Sequence, residues 1–577
     1  MSHIKIIRSY YLAKIMSVRF CCNYFCKWII MRKFALNLYT KMFPVRRYSM
    51  SGIFIALISS VVGMYATPSF GAERPRLVLG IVIDGLDSQY LDLLQNQFGE
   101  GGFNRLMRDG VVISSADYGT NTDATASAAM IMTGAAPATS SVAGSLVYDR
   151  EGLRLVEAMT DPEAIGNFTN QTFSPRSLAV STISDEARIA GGGLGRVFGI
   201  SPNPSQAVIL AGHSGNAALW LNEKTGNWAS STYYKELPTG IAYRNRLRPL
   251  SLRLDTIQWT PLKSAESYVG LPDHLTHYSF RYAFPGGNNN RYHAFAASPM
   301  INAEITDLAG ELIDDLKLGT QSETDVINLV YNLKPYDYTR NEDNRFELID
   351  SYLRLDRDLE RIFNKADDKA GKDNTLFYVA ATPPSAQSRK DDEKWLIPYG
   401  EFSTKKAKSL LNMFLIAKFG NGDWITGFFN DQFFLNHKLI SDLGLDGQAV
   451  RTEAAAFLEK MSGVNRVVTI DEILTGRGDR RLEALQRNTA PGTAGDLFIE
   501  VAPGWETVDD INSPVDNSRV RYVHRYSAPT APVFILAKDL EPRTIDIPVD
   551  ARVIAPTIAR LLRIRSPNGA SFPALNL

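Results

Sequence analysis

From about residue 74 onward, short apolar runs rich in β-branched and aromatic residues alternate with longer stretches in which apolar residues recur every three or four positions. The runs at 77–83, 208–211, 326–331, 376–381, 497–501 and 533–537 read as strands. The stretches 303–316, 347–364, 405–417 and 551–562 read as helices. After Asn344, Leu348, Tyr352, Leu355, Leu359 and Ile362 fall on one side of a helix, giving it a single apolar face. The strand 77–83 (Leu-Val-Leu-Gly-Ile-Val-Ile) has no polar alternation at all, as expected of a strand covered on both faces. Such alternation predicts an α/β fold: a three-layer α/β/α sandwich with a mostly parallel sheet. Residues 214–300 break the rhythm. They are aromatic, loop-rich and contain Gly286-Gly287-Asn288-Asn289-Asn290, so they read as a cap or insertion on the functional edge of the sheet.

The first 72 residues have a different character. The apolar run 53–66 (IFIALISSVVGMYA) follows Arg46-Arg47 and precedes the small residues Ser69, Gly71 and Ala72. This basic, apolar, small-residue order is that of a secretory signal, with cleavage expected between Gly71 and Glu73 and a mature domain at 73–577. An uncleaved signal anchor is the alternative. The prelude before Met42 is long and basic, and Met31, Met42 and Met50 are alternative starts. Cys21, Cys22 and Cys26, the three cysteines of the chain, all lie in it. The exported chain would therefore hold no disulfide and no thiolate metal site. With 62 Lys+Arg against 62 Asp+Glu in 577 residues, the chain lacks the basic excess of a nucleic-acid binder.

Two strand ends carry the candidate chemistry. One is Asp84-Gly85, after the strand at 77–83, with Asn121-Thr122-Asp123-Ala124-Thr125-Ala126-Ser127-Ala128 and Thr133-Gly134 downstream. The other is Thr382-Pro383-Pro384, after the strand at 376–381. Strands of a parallel sheet present metal ligands and nucleophiles at their carboxyl ends. Here one end keeps an acid and the other runs into prolines.

Further segments run in order along the chain: Gly101-Gly102-Phe103-Asn104-Arg105-Leu106, Val147-Tyr148-Asp149-Arg150, Gly212-His213, Ser230-Ser231-Thr232-Tyr233-Tyr234, Asp350-Ser351-Tyr352-Leu353-Arg354-Leu355-Asp356, Leu435-Asn436-His437-Lys438-Leu439-Ile440, Pro503-Gly504-Trp505 and Ile554-Ala555-Pro556-Thr557. In these, and in nearly everything after the leader, the chain resembles the phosphate-irrepressible alkaline phosphatases, a secreted zinc-dependent branch of the alkaline phosphatase superfamily. The resemblance implies an alkaline-phosphatase-like fold, a di-zinc centre, a threonine alkoxide and cations that hold the phosphoryl oxygens. Two zinc ions lower the pKa of the nucleophile, so their Asp and His ligands have no neutral substitutes.

Position by position, that implied site is degenerate. Asp84 matches the first metal-binding aspartate, as a vestige. The nucleophile falls on Ala124, which has no hydroxyl, and the next Gly-His pair on Ser127-Ala128. Thr125 is a neighbouring hydroxyl, displaced by one residue. The next Asp and His fall on Pro335 and Thr339, an Asp-His pair on Thr382-Pro383, and the last zinc histidine on Arg521, with His524 three residues away. The phosphate-binding Lys and Arg fall on Asn203 and Ser205. Metal ligands, nucleophile and cations are replaced together, as loss of catalysis would leave them.

Other features have plainer readings. His274 and His277 have a metal-pair spacing but no third ligand in the neighbouring sequence, so a surface pair is expected. Asp337 is a weak candidate to join Asp84 around a hard cation. His213 reads as packing and 390–394 (KDDEK) as an exposed loop. The sequence thus points to a periplasmic or secreted pseudophosphatase, binding an envelope protein or a ligand and needing no cofactor. It would bind no nucleic acid and keep no membrane span after signal removal. The competing reading is a zinc-dependent phosphomonoesterase or phosphodiesterase with a site rebuilt from Asp84, Thr125, Asp337 and His524.

Overall fold

The computed structural model describes residues 74–120, 123–339, 343–384, 400–490, 492–512, 520–523 and 531–577. The leader, its cleavage site, the 390–394 loop and His524 lie outside the described residues. Glu73–Leu577 form one compact unit around a ten-stranded sheet. In chain order its strands are β1 (Leu77–Asp84), β2 (Val111–Ile113), β3 (Gly166–Asn167), β4 (Val197–Ser201), β5 (Ala217–Leu221), β6 (Trp228–Ser231), β7 (Asp325–Asn332), β8 (Thr375–Ala381), β9 (Val533–Leu536) and β10 (Arg543–Ile545). Their spatial order is β10-β2-β9-β8-β1-β7-β4-β5-β6-β3. The five central strands, β8-β1-β7-β4-β5, are all parallel, and β9 joins β8 antiparallel. Every residue of β1 is buried, consistent with its unbroken apolar run.

Helices cover both faces. Asn328 on β7 donates to Ser184 Oγ (2.9 Å) and to the carbonyl of Leu210 (3.0 Å), facing helix α2 (Pro204–Ala211). Three residues on, Tyr331 shares a hydrogen bond of 2.8 Å with Thr306 of helix α3 (Met300–Asp315), on the opposite face. Helix α4 (Arg345–Ala370) packs beside α3 and buries Tyr352, Leu355, Leu359 and Ile362, the face anticipated from its period. Helix α1 (Ala124–Thr133) packs on α2, and α5 (Ile554–Leu562) packs on α1. Gly80 is required where β1 passes between its neighbours, because a Cβ there would lie 2.2 Å from both Asn328 Oδ1 and the Tyr378 ring.

Two sequence expectations change. Residues 208–211 are the end of α2, not a strand. The span 214–300 does not stand wholly apart from the sheet, because β5 and β6 lie inside it and extend the central sheet. Beyond β6, the stretch from Thr232 to Ser298 consists of short helices and a two-stranded ladder packed around buried Trp259, Phe280 and Tyr282. The stretch 400–509 holds a second lobe that the sequence did not announce. Its antiparallel sheet has the order 425–429, 432–435, 497–501, 464–469, and it packs with helices Thr404–Phe419 and Gly447–Leu458 around a core of its own.

Candidate functional site

β1, β7 and β8 end side by side, with Asp84 opposite Asn332 and Ile83 opposite Ala381. This register brings Asp84, Thr382 and the segment after Asn332 together at the carboxyl edge. Gly85, at φ 84°, turns the chain away from the strand end.

Asp84 is 4% exposed, and a buried carboxylate needs compensating partners. It has three. Gln206 on α2 donates through Nε2 to both oxygens, 3.1 Å to Oδ1 and 2.9 Å to Oδ2. Thr382 Oγ1 donates to Oδ1 (3.3 Å) and accepts from the Gly85 amide (3.2 Å). Lys334 Nζ lies 3.3 Å from Oδ2. Asp84 holds the Lys334 ammonium above the ordinary lysine value against the opposing effect of burial, and Asp123 and Asp337 add to it. The lysine reaches this place because the Leu333 amide donates to the Asp84 carbonyl (2.8 Å) and the Lys334 amide to Asn332 Oδ1 (3.0 Å). Its stem then passes Gly85, where a Cβ would stand 3.3 Å from Lys334 Cγ.

Helix α1 begins beside this group. Asp123 caps it, accepting from the amides of Thr125 (2.8 Å) and Ala126 (3.1 Å), while Ser145 Oγ donates to its other oxygen (3.1 Å). Ala124 is the first helical residue, so a methyl group stands at the helix entrance. Thr125, 2% exposed, is turned into the packing. Ser127 and Ala128 are buried one turn on. Asn203 caps α2 by accepting from the Gln206 amide (3.2 Å), and Ser205 is buried beneath it.

The other sequence candidates are placed elsewhere. Thr339 Oγ1 donates to Glu347 (3.1 Å) in the aromatic layer under the 232–298 segment. His274 pairs with Asp343 (3.0 Å), and His277 is exposed beside it. His213 bridges Asp185 (3.2 Å) and the Leu178 carbonyl (2.9 Å), and the Asp185 contact raises its pKa. Asp337 is raised above the usual carboxylate range by desolvation, with His293 and Lys334 opposing. His293 in turn meets Tyr338 OH at 2.5 Å and Glu223 at 3.9 Å. Burial raises both Glu223 and Glu157, and the charge of Glu223 raises Glu157 further. Arg521 lies on the strand Val520–Val523.

Residues 78–526 match the family described as type I phosphodiesterase / nucleotide pyrophosphatase. The chain belongs to that family. It is 27% identical over 544 residues to alkaline phosphatase PafA of Elizabethkingia meningoseptica, covering 89% of this chain and 96% of the relative. It is 26% identical over 539 residues to alkaline phosphatase PhoV of Synechococcus elongatus, covering 86% and 92%. The crystal structure of wild-type PafA superposes with a TM-score of 0.77 at 26% identity, over 88% of this chain and 99% of that one. The fold is thus that of the alkaline phosphatase superfamily.

Against the di-zinc centre that the resemblance implies, the donor set around Asp84 does not fit. An amide, a hydroxyl and an ammonium surround the carboxylate, and an ammonium has no lone pair to give a metal. Among the described residues no group of three or more His, Cys, Asp or Glu side chains is placed to hold a metal ion. Gln206 and Lys334 are the two residues of the site that sequence reasoning missed. Gln206 directly follows Ser205, where the resemblance places a phosphate-binding cation, and Lys334 directly precedes Pro335. Asking what neutralises a buried Asp84 was the signal available for both.

Proposed function

We propose that this member of the type I phosphodiesterase family is a catalytically inactive pseudophosphatase that acts in the periplasm or cell envelope as a binding or scaffold protein. The observation that carries the reading is the closure of Asp84: both oxygens are occupied by Gln206, Thr382 and Lys334 within 3.3 Å. The methyl of Ala124 at the entrance of α1 supports it, since phosphoryl transfer to the protein needs a nucleophilic oxygen there. Among the described residues no helix is long and apolar enough to cross a membrane. The signal-like segment at 53–66 supports export. The patch where His293 meets Tyr338 and Glu223 is the surface that this reading offers to a ligand.

A second reading, a metal-dependent phosphomonoesterase or phosphodiesterase with a rebuilt site, draws its support from the relatives, which are named alkaline phosphatases. Thr125 would be its nucleophile, but that side chain is packed inside α1. Elemental analysis of the dialysed protein, paired with an aryl-phosphate assay in added zinc, separates the two. The expected result is substoichiometric zinc and no turnover. About two zinc ions per chain with saturable hydrolysis, as in a two-metal site, would establish the second reading instead.

A further inference from the structure

We propose that Lys334 is a tethered cation that takes over the electrostatic role of a metal at Asp84, and that its ammonium is what keeps divalent cations out of this edge of the sheet. The inference rests on the pseudophosphatase reading and adds to it a cause. A buried carboxylate needs positive charge or strong donors close by. In a metal centre that charge is a diffusible ion, whereas here it arrives on the chain itself.

The geometry is specific. The Lys334 Nζ lies 3.3 Å from Asp84 Oδ2, while Gln206 and Thr382 complete the carboxylate's hydrogen bonding. Asp123 and Asp337 add smaller electrostatic contributions to the same ammonium. Its position is fixed by backbone hydrogen bonds two residues beyond the end of β7 and by the absence of a side chain at Gly85. The Lys334 side chain is 46% exposed. Trimming it would therefore open a water-accessible place next to Asp84, with Asp123 and Asp337 adding negative potential. Hard divalent cations bind oxygen ligands together with several waters, so such a place suits Ca²⁺ or Mg²⁺ without histidines. Zinc, which prefers nitrogen and sulfur ligands in a closed set, is not the ion expected.

The test uses the whole exported chain and measures its melting temperature in chelator and in millimolar Ca²⁺. The wild type is expected to melt at the same temperature in both. Lys334→Ala should melt lower in chelator and recover a large part of the loss in Ca²⁺. In the Asp84→Asn/Lys334→Ala double variant, both the loss and the response to Ca²⁺ should largely disappear, because the buried charge that Lys334 balances is gone. Lys334→Gln, which keeps a polar side chain of similar reach, gives a second single variant if Lys334→Ala does not fold. It should respond to Ca²⁺ in the same direction. A single variant whose melting does not respond to Ca²⁺, or whose response persists in the double variant, overturns the proposal even if the wild type proves metal-free and inactive. Stoichiometric zinc with turnover in the wild type would instead refute the pseudophosphatase reading itself.

Discussion

Replacing Gln206 by Ala removes the two hydrogen bonds, of 2.9 and 3.1 Å, that hold the Asp84 carboxylate from the α2 side. Hydrogen bonds to a charged group contribute about 1.5–3 kcal/mol. The two here share one donor nitrogen, so together they are counted once. Gln206 is 3% exposed, and the space left by its amide adds a packing loss. Two terms limit the damage. Lys334 and Thr382 remain on Asp84, so the variant falls short of the roughly 3–5 kcal/mol seen when a buried charge loses its only partner. Alanine also gains a few tenths of a kcal/mol of helix propensity, on the order of 0.3. The α2 cap is untouched, because Asn203 bonds the backbone amide of residue 206. The net expectation is a loss of about 2–3 kcal/mol. Urea unfolding followed by tryptophan fluorescence should show it as a lower midpoint at unchanged slope. A loss smaller than about 0.5 kcal/mol, the range of substitutions that touch nothing important, would refute the claim that Gln206 compensates Asp84.

Ala124→Thr should fold and remain without phosphatase activity. A metal can lower the pKa of a bound oxygen nucleophile by about 9 units, roughly 12 kcal/mol, and Lys334, already engaged by Asp84, supplies no equivalent. Zinc-dependent turnover of aryl phosphate by this single variant would contradict that. A pH effect is expected at Asp358, on the α3 side of α4, where burial raises the carboxyl to about 7 against the opposing charge of Arg361 3.5 Å away. Because the folded value lies above the unfolded one, the protonated form favours folding. The stability contributed by this group is full below about pH 4 and is lost as the pH rises to about 7. Asp358→Asn should flatten that decline, so that the fall in unfolding free energy between pH 5 and pH 8, measured by urea unfolding at each pH, shrinks by up to roughly 3 kcal/mol.

How far the sequence revealed the structure depends on what each residue had to say locally. β1, β7 and β8 were legible because a strand covered on both faces needs an unbroken apolar run. α4 was legible because one face is apolar and the other is charged. Residues 208–211 were misread for a related reason. The α2 helix is buried on all sides, so Val208, Ile209, Leu210 and Ala211 carry no polar period to distinguish helix from strand. The informative signal lay upstream, in the Asn203 cap and Pro204 at the first helical position. β4 and β5 were missed because Gly199, Ser201, Ala217 and Ala218 dilute their apolar character. At the site, the positions of Asp84 and Thr382 came from strand ends, and that of Ala124 from its distance to Thr133-Gly134 in the family resemblance. Lys334 and Gln206 did not, because what they do depends on a carboxylate 250 and 122 residues away in the chain. A lysine beside a proline looks like loop surface until the register of β1 against β7 brings it back over Asp84.

The lobe that begins at residue 400 has a core separate from that of the sheet. One of its attachments converges on Asp496, which is 1% exposed and accepts from Arg150 (3.0 Å) and the Leu435 amide (2.8 Å) while meeting His437 at 2.7 Å. Arg150 comes from the hairpin Leu146–Asp149/Arg154–Glu157, outside the lobe, and its guanidinium also stacks over Phe434 at 4.9 Å. Two cores within one compact unit give the chain regions that can differ in local stability. Hydrogen exchange that is faster in the lobe than in β1 and β7 is the expected sign of that difference. The Arg150 contacts to Asp496 and Phe434 are what tie the lobe to the hairpin at 146–157.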